Sequence, residues 1–301
     1  MALSTIYSSE SWRKLIPKTL GYNLKKITIN GYEIFYFEKK FLLFKFVGAP
    51  LKGSMTPFVE LPLEILGSTN INRILKKLLI KSNFFFAELT LECQKKIELN
   101  SFNKIFFKIS SSYTYVLDIN SEVDVVWNNI TSRARNTIRK AEKNGIIVNS
   151  VNKPTQSQIS DFYETLVTTF NRHNGKPYHP ITFFEELFKS NITFLFLIAY
   201  HNNIPCSYGI FVYDETCFYF LSGANNEIGY KYAASSLVQW HAIKFANDLK
   251  IPKYDLGGAG TSVNIDKFKE SFGGSLVKRS HYYSRISFGY FLIKIKNMLG
   301  I

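Results

Sequence analysis

Apolar and polar positions along the chain change their period several times, and each change marks a new element. Residues 24–29, 32–38 and 41–47 are rich in aromatic and β-branched residues, and Asn30-Gly31 separates the first two runs. That pair accepts the positive φ angles of a tight hairpin turn, so after a helix stub near Trp12 the pattern predicts an antiparallel β start. From Leu63 to Lys81, Leu63, Leu66, Ile71, Ile74, Leu75, Leu78 and Leu79 return at helical spacing, interrupted near Gly67-Ser68. Residues 84–91, 105–109 and 113–119 read as further strands.

A longer helix is predicted from Ser121 to the stop at Asn144-Gly145. Val123, Val126, Trp127, Ile130, Ala134, Ile138 and Ala141 form its apolar stripe, with Arg135, Arg139 and Lys143 opposite and Arg133 and Lys140 on the flanks. After a polar linker come a helix over 159–170, a polar loop over 171–180 and a helix over 182–190. Strands over 194–200, 205–213 and 217–223 follow, then NNEIGYKYA leading into a helix over 233–249 whose stripe includes His241, read as a core histidine. Lys253 to Leu256 is a short strand that runs into Gly257, Gly258 and Gly260, where the missing side chains permit a sharp turn or close approach to a ligand. Ile265, Phe268 and Phe272 then recur at helical spacing and leave Lys267, Lys269 and Glu270 on the other faces, before a stop at Gly273-Gly274. Residues 275–284 form a last strand, and 286–301 an apolar stretch dotted with Lys294 and Lys296 that suits an amphipathic helix lying on the protein, a partner or an acidic membrane surface.

The result is a mixed α/β chain with no visible internal repeat. A hydrophobic fraction of 46% with 20% charged residues suits a globular protein of one large or two smaller domains and excludes disorder. The net charge of +14 favours anionic partners such as phosphates, nucleic acid or an acidic membrane. Cys93, Cys206 and Cys217 lack C-x-x-C spacing, which excludes a disulfide framework and a cysteine zinc site and fits a reducing compartment. No run reaches the length needed to span a bilayer and the start lacks an apolar leader core, so a cytoplasmic location is expected. Several chemistries drop out by motif. Ser54 and Met55 stand where a phosphate loop starting at Gly48 needs lysine and a hydroxyl residue, and Val263 stands where a dinucleotide fingerprint needs its third glycine. No G-x-S-x-G elbow or convincing Cys-His pair occurs, and His173 and His179 have no carboxylate partner for a metal, so their loop is read as one lying over a cleft.

Two segments carry more specific information. YDLGGAGTSVNIDKFKESFGG, from Tyr254 to Gly274, resembles the C-terminal signature of the FemAB family of aminoacyl and acyl transferases, relatives of the GCN5-related N-acetyltransferases (GNAT). SRARNTIRKAEKNGIIV, from Ser132 to Val148, resembles the motif that joins the two halves of the same family. The resemblance implies an α/β protein with mixed sheets made of two tandem GNAT-like subdomains. The first covers 1–149 and ends in the basic linking helix, the second covers 150–285 and contains most of the chemistry, and 286–301 is a short amphipathic tail.

The activity it implies is transfer of an activated acyl or aminoacyl group, from acyl-CoA or aminoacyl-tRNA and without a metal, onto an amine of a cell-envelope precursor such as an amino-sugar or a peptidoglycan peptide. Direct attack by the amine needs aligned reactants and donors aimed at the oxyanion, not a protein nucleophile. By its match to the family position, Lys269 is expected at the reacting carbonyl, with Asp255 orienting or deprotonating the amine. Arg135, Arg139 and Lys231 are expected on phosphates, the last beside a helix N-terminus where GNAT folds hold a pyrophosphate, although the usual Q/R-x-x-G-x-G/A loop is missing. Tyr254, Gly257, Gly258, Lys267, Phe268 and Phe272 complete the expected substrate site. A peripheral contact with the inner face of the membrane through the tail is a further expectation. The rival class, a non-enzymatic nucleic-acid or membrane-surface binder using the basic helix 132–143, explains the charge but leaves the glycine turns and Lys269 without a role.

Overall fold

The computed structural model describes residues 6–29, 31–41, 44–47, 69, 72–73, 76–77, 80, 88–91, 100–101, 107–172, 174–260 and 262–284. Asn30, the phosphate-loop-like stretch 48–54, most of the helix expected over 63–81, the first part of the strand 84–91, residues 105–106, His173 and the tail 286–301 lie outside them. Packing divides the chain into two units, Met1–Ser112 with Lys278–Ile301, and Tyr113–Val277.

In the first unit α1 (Glu10–Leu20) starts where the Ser9 hydroxyl accepts from the Trp12 amide, stops at Gly21 with φ 68°, and buries Trp12, Leu15 and Ile16. The predicted hairpin is present: β1 (Asn23–Ile29) pairs antiparallel with β2 (Tyr32–Phe41), and the Ile29↔Tyr32 register leaves a two-residue turn whose Gly31 has φ 82°. β3 (Phe44–Val47) adds to β2. β4 (Glu88–Leu91) pairs antiparallel with Ser280–Tyr283 of β11 (Ser275–Ser284).

The second unit is built on a mixed sheet. Its strands, in spatial order, are β5 (Phe107–Asp118, entering this unit at Tyr113), β10 (Lys253–Gly258), β9 (Phe218–Asn225), β8 (Ile204–Tyr213), β7 (Phe194–His201) and β6 (Ile146–Ser150). Only the β9–β10 pair is parallel. The helix expected over 121–144 is two helices, α2 (Val123–Asn129) and α3 (Ser132–Lys143), because Ile130 is extended and the Thr131 hydroxyl caps a new start at the Ala134 amide. Next come α4 (Gln156–Asn171), opened by a reciprocal Thr155/Gln158 capping box, and α5 (Ile181–Lys189). The NNEIGYKYA stretch forms α6 (Glu227–Lys231), separated by Ala233 at φ 58° from α7 (Ala234–Asp248). α8 (Val263–Ser271) follows β10.

α7 packs on β6 to β9 with α3 against it, while α4 contacts β9 and α5. Cys206 and Cys217 are buried, and burial pushes their thiols up to about 11 and about 12, so both behave as small apolar residues. Two glycines set the closeness of this packing. A Cβ on Gly209 would stand 2.8 Å from Val238 of α7, and one on Gly229 would stand 2.2 Å from the Cys206 carbonyl oxygen. The second contact is with backbone and has little room to yield. Gly229→Ala is therefore expected to destabilise the protein by about 1–3 kcal/mol, the usual cost of overpacking. An unchanged denaturant midpoint for this variant contradicts the seating of α6 on β8.

Candidate active site

β9 and β10 share only two residue pairs, Tyr254↔Phe218 and Asp255↔Tyr219. Beyond these β9 stays on β8 as far as Asn225, paired with Ser207, and β10 stays on β5 as far as Gly258, paired with Thr114. The two strands therefore part over Phe220–Asn225 and Leu256–Gly258, and their facing backbone edges are no longer joined. Each strand carries a bulge where the parting begins. Ile210↔Ser222 and Phe211↔Phe220 leave Leu221 without an opposite residue on β8, while Asp255↔Val116 and Gly257↔Tyr115 leave Leu256 without one on β5. A bulge adds twist and redirects the strand, which is how one sheet opens into a slot at the carboxyl ends of two parallel strands.

One wall of the slot is braced from beneath. Asp255, 2% exposed, accepts on one carboxylate oxygen from the Thr114 hydroxyl (2.5 Å) and the Gly257 amide (2.8 Å), which fixes the bulge around Gly257 at φ 90°. The turn continues with Ala259 N–H donating to the Tyr113 carbonyl at 2.8 Å, and Gly260 N–H donating to both Asp266 carboxylate oxygens at 3.1 and 3.0 Å. Lys269 reaches back from α8 and donates from Nζ to the Gly258 carbonyl at 2.7 Å. It is 8% exposed; burial pulls its pKa below the ordinary lysine value, against the opposing pull of the Asp255 and Asp266 carboxylates. The arrangement places a largely desolvated cation, held by a backbone carbonyl, at the end of the β10 wall.

The two sequence motifs meet here. Thr131, which caps α3, donates from its amide (2.9 Å) and its hydroxyl (3.1 Å) to the Ser271 carbonyl at the end of α8. A Cβ on Gly273 would stand 3.4 Å from the Asn129 carbonyl oxygen. The basic helix and the glycine-lysine segment are thus one structural assembly.

The other residues singled out from the sequence divide by placement. Tyr254 is fully buried, donates its hydroxyl to Gln239 and packs on Phe211 and Phe218, so its side chain is core. Phe272 is equally buried beneath Phe268, ring centroids 5.1 Å apart. Lys267 is exposed and Gly258 lies at the surface end of β10. Arg135, expected on a phosphate, is instead a helix cap. Its guanidinium donates to the Trp127 (3.3 Å), Asn128 (2.9 Å) and Ile130 carbonyls, which closes α2 because a cation complements the negative end of a helix. Arg139 is exposed and lies 5.4 Å from the Trp127 ring centroid. Lys231 ends α6, at the end of the sheet where the slot opens. Sequence reasoning missed Thr114, Gln239 and the Leu221 bulge. Thr114 lies 141 residues from its partner Asp255, and a bulge leaves no compositional trace.

The loop after α4 bounds a cleft of about 490 Å³, between Tyr163, Val167 and Asn171 on one side and Lys176–Tyr178 with Pro180 on the other. His179 beside it is buried, stacked on Phe183 at 4.1 Å, with its pKa pushed down to about 4 by burial. His241 is half-buried and is likewise pushed down to about 4 by burial, with Lys244 adding to the effect. Among the described residues no group of His, Cys, Asp and Glu side chains could hold a metal ion, and no helix is long and apolar enough to cross a membrane.

The His179 shift makes a stability prediction. Between pH 6.5 and about 4 the unfolded chain binds the imidazole proton and the folded chain does not, so the His179 contribution is intact above pH 6.5 and is lost as pH falls through that window. Urea unfolding of wild type and His179→Phe at pH 7 and pH 4.5 is expected to show a loss on acidification smaller by about 2 kcal/mol in the variant, at ~1.4 kcal/mol per pH unit. Equal losses contradict the burial of an uncharged His179.

Residues 129–270 match the family model described as the acetyltransferase (GNAT) domain. No curated protein matches the sequence. Among solved structures, FemX superposes with a TM-score of 0.68 at 12% identity, over 97% of this chain and 94% of that one. The C-terminal domain of a putative lysylphosphatidylglycerol synthetase from Agrobacterium fabrum gives 0.65 at 8% identity, over 99% and 95%. A tandem GNAT protein from the clavulanic acid biosynthesis pathway gives 0.54 at 6% identity, over 88% and 84%. These likenesses establish the fold, and the family match falls on the stretch that contains the slot, α3 and Lys269. Residues 129–270 are thus a GNAT-type acyltransferase domain, and the chain shares the fold of FemX.

Proposed function

We propose that the β9–β10 slot holds an activated acyl or aminoacyl group, supplied by acyl-CoA or aminoacyl-tRNA, and that an amine of a cell-envelope precursor attacks it directly. The observation that carries this reading is the opening of two bulged strands beside the buried Lys269 ammonium. An acyl chain lying in the slot replaces the missing strand partner, and the backbone around the Leu221 bulge offers N–H groups to the carbonyl oxygen. As the amine adds, negative charge grows on that oxygen, and Lys269 stabilises it across a short, poorly hydrated distance. Collapse of the tetrahedral adduct expels the CoA thiolate or the tRNA ribose oxygen, which takes up a proton while the new amide nitrogen gives one to solvent. No covalent protein intermediate is needed.

Asp255 acts on this reading as a positioning residue. Its carboxylate holds the β10 bulge and favours the charged form of Lys269, and its depth leaves the amine to other groups. Gly257 and Gly258 serve through their backbone, Phe268 and Lys267 line the approach, and Tyr254 and Phe272 hold the floor from within the core. Lys231 and Arg139 remain the cations offered to donor or acceptor phosphates, Arg135 being engaged at α2. The +14 charge supports a polyanionic donor such as tRNA, and the missing Q/R-x-x-G-x-G/A loop argues against the usual CoA contacts. The envelope acceptor draws support from FemX and the lysylphosphatidylglycerol synthetase domain being among the solved structures of this fold, and a cytoplasmic position at the inner membrane face belongs to the same reading.

Lys269→Ala is expected to lower transfer turnover about 100- to 1,000-fold, the usual effect of removing one oxyanion donor, with the donor KM nearly unchanged. A variant that folds normally and transfers at the wild-type rate removes Lys269 from the mechanism.

A further inference from the structure

The inner end of the slot is walled by side chains whose placement depends on two glycines. β9 leaves β10 after the Asp255↔Tyr219 pair, so Phe220 is the first β9 residue inside the slot, at the level of the bulged Leu256 on β10. Leu256 is buried, and Phe220 is half-buried against the same core. Across β8 and β9, Phe211 stands opposite Phe220, and nearer the mouth Gly209 stands opposite Gly223. Both rings lean from the phenylalanine level onto the glycine level. A Cβ on Gly209 would stand 2.8 Å from Cε2 of Phe211, and one on Gly223 would stand 2.7 Å from Cζ and 3.0 Å from Cε2 of Phe220. Packed atoms do not approach so closely, so each ring occupies space that any other residue at the glycine would claim. The pair lies on the α7 face of the sheet, since the same Gly209 Cβ would meet Val238. Phe211 is fully buried on Phe218 and Tyr254, at 5.2 and 6.2 Å between ring centroids, and Phe220 rests on it at 5.5 Å. The Phe220 ring is therefore laid along the slot wall on a fixed bed.

A linear group between β9 and β10 takes the place of a strand, and its substituents leave toward the two faces of the sheet. At the inner end the α7 face is already filled by the Phe220 ring. We infer that Phe220 sets the size of the transferred group and restricts it to a small one, of acetyl, glycyl or alanyl size, with Gly223 as the residue that lets the ring lie flat. This rests on the slot being the acyl site and goes beyond it, because the slot alone does not select among acyl groups. A long acyl chain or a bulky amino-acid side chain has to displace a ring packed on Phe211, whereas a methyl group does not.

The test uses wild type, Phe220→Ala, Phe220→Leu and Gly223→Ala, each shown to be folded at the assay temperature by circular dichroism. Affinities are measured by calorimetry for acetyl-CoA against octanoyl-CoA, and for CCA-ended RNA minihelices carrying alanine against phenylalanine in 3′-amide linkage. In the arm whose ligands bind, wild type favours the small group by about 10- to 200-fold, the discrimination an apolar pocket gives. Phe220→Ala removes that preference by binding the large-group donor more tightly, and Phe220→Leu falls between. Gly223→Ala, which drives the ring off its bed, weakens the small-group donor in wild type and has much less effect in the Phe220→Ala background, where the ring it collides with is gone. Equal affinities for small and large groups in wild type, an unchanged preference in Phe220→Ala, or no binding of any of the four donors overturns the assignment. Amide exchange with the small-group donor bound separates this outcome from failure of the slot. Protection over 220–225 with an unchanged preference leaves the slot standing and removes Phe220 alone, while binding without protection there removes both.

Discussion

Backbone amides and carbonyls inside a folded domain must find partners, and a parallel sheet satisfies them only while its strands stay together. In this protein β9 and β10 stay together for two residue pairs and then separate. The rest of the second unit is arranged around that separation. β8 and β5 keep the outer edges of the two strands satisfied, so the opening is confined to the inner edges. The Leu221 and Leu256 bulges turn the strands apart. What remains is a slot between two strands that no longer pair with each other, suited to a linear group with a carbonyl that accepts what a neighbouring strand otherwise would.

A slot of this kind needs a fixed mouth, and short polar contacts fix it. Asp266 on the Gly260 amide and Lys269 on the Gly258 carbonyl tie the glycine turn to α8, and Asp255 under the β10 bulge ties the turn to Thr114 of β5. Thr131 then fastens the end of α8 to the start of α3. The burial of Lys269 matters because an ammonium held away from water acts on nearby charge far more strongly than one on the surface. The Asp255 and Asp266 carboxylates oppose the burial that pulls its pKa down, and the Gly258 carbonyl is its direct partner.

Much of this was legible in the residues. The Asn30-Gly31 hairpin, the order of strands and helices through the second unit, and the glycine turn followed by a lysine-bearing helix all follow from period and turn chemistry. The pairing of the Ser132–Val148 and Tyr254–Gly274 segments through Thr131 and Ser271 agrees with the family resemblance that linked them in sequence. What was not legible depends on tertiary contact. Arg135 looks like any other cation on a basic helix until the break at Ile130 turns it back onto the end of α2. Tyr254 sits next to the glycine turn in sequence, yet strand alternation sends its ring into the core, onto Gln239. The bulges depend on register with strands far away, and no local signal marks Leu221.

Amide hydrogen exchange on adding a donor addresses the slot most directly, because an acyl group seated between β9 and β10 covers the amides on both inner edges. With acetyl-CoA or a CCA-ended aminoacyl-RNA, whichever binds, protection is predicted over 220–225 and 256–260, with little change along α3. Protection confined to the basic face of α3, with the β9 and β10 edges exchanging as in the protein alone, contradicts the assignment of the slot as the acyl site.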